Sequence, residues 1–75
     1  MNELSVMDPH EGDLKFTWDP ANEAEVQEVK RTFDKMRSKG FYGYRVKKDG
    51  TKSEVIREFD PEAAAIIMAP QVAGG

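Results

Sequence analysis

The sequence predicts an α+β fold in which a single helix packs on a mainly antiparallel β-sheet, in the order ββαββ plus a short final strand. Three observations carry this. They are strict polar and apolar alternation in DLKFTW, an apolar stripe of helical spacing between Asp19 and Gly40, and two strand-like runs on either side of Asp49-Gly50. One helix laid across one face of a sheet is the economical way to bury such apolar sides. Seventy-five residues make one small domain, expected over residues 1–70, with 71–75 as a flexible C-terminal tail.

In DLKFTW, Leu14, Phe16 and Trp18 fall on one side and Asp13, Lys15 and Thr17 on the other, the pattern of a strand with one buried face. The preceding ELSVM is a weaker strand, and DPHEG between them has the Pro and Gly of a hairpin loop. Asp19 then reads as a helix cap with Pro20 at the first helical position, where its missing N–H costs nothing. Val26, Val29, Phe33 and Met36 follow at spacings of three, four and three, one stripe facing a core. Gly40 ends the helix, because glycine takes the left-handed cap conformation without steric cost.

The runs FYGYRV and SEVIREF around Asp49-Gly50 read as a second hairpin. A two-residue turn would set Arg45 opposite Glu54 and Tyr44 opposite Val55, and a three-residue bulged turn would shift the pairing by one. Asp60-Pro61-Glu62 resembles another helix start, while Ile66, Ile67 and Met68 before Pro70 suit a short buried strand. The expectation is one helical turn, then a strand. The helix stripe with Leu14, Phe16, Trp18, Val46, Ile66 and Met68 forms the expected core.

Composition narrows the chemistry. With no cysteine and one histidine, neither a disulfide nor the usual Cys/His zinc site can be built. The serines are Ser5, Ser38 and Ser53, the only imidazole is His10 in a loop, and no glycine-rich phosphate loop occurs, so no catalytic residue, metal or cofactor is implied. The cluster Asp8, His10, Glu11 and Asp13 fits no calcium-loop spacing and reads as a polar hairpin loop. The longest apolar run, Ala63 to Ala69, is far short of the roughly 20 residues that cross a bilayer, and no signal peptide is evident, so the expected location is cytoplasmic or within a virion.

Charge is uneven beneath a net −3. Residues 1–19 carry five acids against Lys15, whereas residues 20–59 carry ten bases against seven acids, an acidic end and a mildly basic body. The second hairpin gathers Tyr42, Tyr44, Arg45, Lys47, Lys52 and Arg57, a candidate interaction surface for a protein or for single-stranded nucleic acid. Because Glu54 and Glu58 dilute it and the whole chain is acidic, a protein partner ranks above nucleic acid. A sheet with one helix leaves one face uncovered, so the outward side of this hairpin and the acidic loop from Met7 to Asp13 are the expected contacts. An exposed edge strand would also permit a homo-oligomer.

The chain ends in Gly74-Gly75. Two residues without Cβ atoms can thread a narrow channel where an activating enzyme would reach the terminal carboxylate. Hairpin, helix, hairpin and final strand followed by Gly-Gly resembles the β-grasp, ubiquitin-like modifiers and sulfur carriers. That resemblance implies a β-grasp-like roll, an activating-enzyme partner and Gly75 as the reactive group with Gly74 as its companion. The segment DPEAA is shorter than the family's usual connection, and PQVA lacks the basic approach to Gly-Gly common in eukaryotic members. GDLKFTWDP, KGFYGYRV and EVIREFDPEAAAIIMAP are in addition similar to small uncharacterised proteins of prokaryotes and phages, which implies an accessory or structural role in a larger assembly.

Overall fold

Hairpin, helix, hairpin and final strand are present in the expected order. The structure, a computed structural model, describes residues 1–47, 49 and 51–70, with Lys52 and Ser53 described by backbone alone. Strands β1 (Asn2–Asp8) and β2 (Gly12–Trp18) precede helix α1 (Glu23–Ser38), and β3 (Phe41–Val46), β4 (Lys52–Ile56) and β5 (Ala65–Pro70) follow it. The sheet is mixed, with strand order β2-β1-β5-β3-β4. β5 lies parallel to β1 and antiparallel to β3, so the last strand joins the two hairpins.

The helix begins three residues later than the sequence suggests. Asn22, not Asp19, is the N-cap, its side chain accepting from the Glu25 N–H at 3.2 Å. Asp19-Pro20 instead forms a tight turn, in which Asn22 N–H donates to the Asp19 carbonyl and Ala21 N–H to the Asp19 carboxylate, each at 2.9 Å. Proline presets the turn and aspartate closes it, which satisfies the same groups a cap would. Glu25 reaches back to the Asp19 N–H at 2.9 Å and ties turn to helix. At the far end Gly40 adopts φ +95°, the conformation expected after a helix.

The second Asp-Pro repeats this chemistry and is likewise no helix. Ala63 N–H donates to the Asp60 carbonyl at 3.1 Å and Glu62 N–H to the Asp60 carboxylate at 3.0 Å, a single turn before β5. The turn is bolted to the start of the sheet, because the Pro61 carbonyl accepts from the Trp18 indole N–H at 2.9 Å and from the Asn2 side chain at 3.2 Å.

Helix residues Val29, Phe33 and Met36 bury against Leu4, Val6, Trp18, Phe41, Ile66 and Met68, with Ala63 sealing the end. Leu14, Phe16, Val26, Ile56 and Phe59 pack around this core. Phe59 stands edge-on to Trp18 at 4.9 Å between ring centroids and lies 5.9 Å from Phe33, an aromatic cluster contributed by three elements of sequence. Val46 does not join the core. Phe41 and Gly43 face the helix, so alternation along β3 turns Tyr42, Tyr44 and Val46 to the other side.

Candidate functional site

Register determines what the uncovered face presents. In β3 and β4, Tyr44 pairs with Val55 and Arg45 with Glu54, as a two-residue turn requires, but the register shifts by one between Arg45 and Val46. The turn is closed by Lys47 N–H donating to the Thr51 carbonyl at 2.8 Å, and the Asp49 carboxylate accepts from the Thr51 N–H and hydroxyl. Gly50 of the expected Asp49-Gly50 turn lies outside the described residues.

On the other side of β3, Tyr44 pairs with Ile67 and Tyr42 with Ala69 of β5. Val55, Tyr44 and Ile67 therefore stand side by side in one row on the face opposite the helix, flanked by Val46, Ala65, Ala69 and Tyr42. Val55 keeps 52% of its surface exposed, and the tyrosines, Val46 and Ile67 are half-buried. Farther across the sheet the same face turns polar. Glu3 and Ser5 of β1 lie opposite Thr17 and Lys15 of β2, and Lys15 pairs with Glu3 at 3.2 Å. The open face thus has an apolar half on β5, β3 and β4 and a largely polar half on β1 and β2, where Met7 is the exposed apolar exception.

The structure separates the residues grouped by composition. Tyr42 and Tyr44 share the open face, whereas Arg45 turns to the helix side, where its guanidinium meets Glu54 at 3.4 Å and Asp60 at 3.6 Å. Phe41, which neighbours these aromatics in sequence, is buried in the core. Lys47 and Arg57 lie exposed just beyond the ends of β3 and β4, and Lys52 enters only through its backbone. Arg37 of the helix approaches Tyr42, its guanidinium carbon 5.9 Å from the ring centroid, within cation–π range. Gly74 and Gly75 lie outside the described residues.

The acidic loop is held by its own hydrogen bonds. The Asp8 carboxylate accepts from the backbone N–H of His10 at 2.8 Å and of Glu11 at 3.3 Å. The bond from His10 is the main reason that the Asp8 carboxyl is held below the ordinary aspartate value. Among the described residues, no group of three or more His, Asp or Glu side chains converges as metal ligands, and no helix is long and apolar enough to cross a membrane.

Composition picked out the tyrosines and missed Val55 and Ile67. The signal that finds them is pairing: once Arg45 is set opposite Glu54, Val55 must stand beside Tyr44. No protein-family profile, no curated protein and no solved structure matches this chain.

Proposed function

We propose that this is a small non-enzymatic protein-interaction module that docks through the apolar half of its open sheet face. The observation that carries the reading is the row Val55, Tyr44 and Ile67, aligned by register on the face the helix leaves uncovered. An exposed apolar row with aromatic members and a charged border has the makeup of a protein contact surface. The fitting role is an accessory or structural subunit of a larger prokaryotic or phage assembly, in the cytoplasm or within a virion. A photo-crosslinking residue at Val55 in the native host should capture one discrete partner that is absent when the probe replaces Arg31 on the exposed face of α1. Tyr44→Ala with Ile67→Ser should abolish that capture, and an equal pattern from both probe positions would end the reading.

A second reading draws on the return of β5 to the middle of the sheet beside β1, an order that supports the likeness to β-grasp modifiers and sulfur carriers. β5 ends at Pro70, five residues before Gly75, whose carboxylate would be activated. Incubation with ATP and candidate activating enzymes should then yield a C-terminal adenylate, thiocarboxylate or conjugate, and an unchanged phenotype on deleting Gly74 and Gly75 would exclude it. Binding of single-stranded nucleic acid ranks last. The cross-strand neighbours of the tyrosines are apolar, and Arg45 is engaged with carboxylates on the opposite side.

A further inference from the structure

β2 is an edge strand, and the direction of its backbone groups follows from one bond. The Glu3 N–H donates to the Ala64 carbonyl at 3.1 Å, on the β5 side. Alternation along β1 then turns the N–H and C=O groups of Leu4 and Val6 toward β2, where they meet Phe16 and Leu14. Asp13, Lys15 and Thr17 therefore direct their backbone groups outward. On the helix side of this edge, Leu14, Phe16 and Met36 form the apolar floor of a groove of about 280 Å³ rimmed by Asp8, Glu11, Lys35 and Lys39. A second groove of about 270 Å³ continues from Phe16 and Thr32 toward Val29, with Glu25 and Glu28 on its wall. Outward ladder groups beside the half-buried Leu14 and Phe16 form a template for another strand.

We propose that the strand is β2 of a second copy, paired antiparallel about a two-fold axis at Leu14. A symmetric antiparallel pair can centre on Leu14, Lys15 or Phe16, and charge distinguishes these registers. Centring on Lys15 sets Lys15 directly against its symmetry mate, and centring on Phe16 sets Lys15 against Thr17. Centring on Leu14 sets Asp13 opposite Lys15 twice, once on each side of the axis. The backbone agrees, since Asp13 and Lys15 are the residues whose N–H and C=O point outward, so each such pair exchanges two ladder bonds. Leu14 then meets Leu14 across a close non-bonded pair, and Phe16 lies opposite Gly12, beside which there is open space. A lysine in the middle of an edge ordinarily deters pairing. In this register Lys15, already paired with Glu3 of its own chain, gains a second acid across the seam.

Sedimentation equilibrium of the intact chain, from about 10 µM to about 1 mM as suits an interface below about 1,200 Å², should reveal a reversible dimer. Asp13→Lys and Lys15→Asp, both exposed and outside the core, should each weaken it by about tenfold, because two opposed charge pairs become like-charged. The double exchange should restore dimerisation to near the original. The amides of Asp13 and Lys15 should also exchange more slowly as protein concentration rises, a readout that needs no variant. A monomer throughout that range, or a double exchange no better than either single one, would overturn the proposal.

Discussion

Gly43 shows how closely helix and sheet approach. A Cβ built there would lie 2.6 Å from Phe33 Cε2 and 3.0 Å from Cζ, and the Phe33 ring, fully buried and braced by Phe59, has little room to yield. Gly43→Ala should therefore lower unfolding stability by about 1–3 kcal/mol in urea titrations, with spectra otherwise unchanged. Trp18 combines a buried ring with a satisfied N–H, so Trp18→Phe should lose about 1 kcal/mol from the bond to Pro61 in addition to the smaller packing surface. Two carboxylates link stability to acidity. Asp8, through the His10 backbone, and Asp49, through the Thr51 hydroxyl, have folded-state values below the ordinary 3.8. A lowered folded value makes their contribution complete above the unfolded value and lost as pH falls through the folded one. Urea midpoints of Asp8→Asn/Asp49→Asn should hence change less than those of the wild type from about pH 4 to about pH 2.

At the scale of elements, the two Asp-Pro turns are the clearest case of chemistry read correctly and geometry read incorrectly. Asp-Pro satisfies the groups of a helix start or of a tight turn with the same atoms, and only the next residues decide between them. At residue 19 the better cap, Asn22, lies three positions on, with Glu25 at the third helical position to return a bond. Asn22→Ala should cost about 1 kcal/mol and raise hydrogen exchange in the first turn of α1. The helical stripe and the β2 alternation were legible because each spans several periods of pattern, and the final strand because a short apolar run stops at Pro70. Val46 and Phe41 were not, since a run such as FYGYRV is apolar on both faces and its parity is set by which residue first meets the helix. The open-face row was half legible: the tyrosines are visible as letters, whereas Val55 and Ile67 become neighbours only through pairing with β3. The register shift lies within the ladder, between Arg45 and Val46, and the letters Asp49-Gly50 do not specify it.

At the scale of the molecule, β5 is the only strand among the described residues that is bonded to both hairpins, at β1 on one side and β3 on the other. A chain ending at Ala64 should show no cooperative unfolding by circular dichroism, because neither hairpin alone encloses the helix stripe. Its loss removes Ile66 and Met68 from the centre of the core as well as both ladders. The same placement has a mechanical consequence. β1 starts at one end of the sheet and β5 finishes at the other, running side by side in the same direction from the Glu3–Ala65 pair to the Val6–Met68 pair. Tension applied between Met1 and Pro70 acts on these neighbours in opposite senses along their axes, so their shared bonds are loaded together in shear. A hairpin pulled at its open end unzips one bond at a time. This chain is joined instead as a clamp, and its resistance to force lies in the seam between its first and last strands.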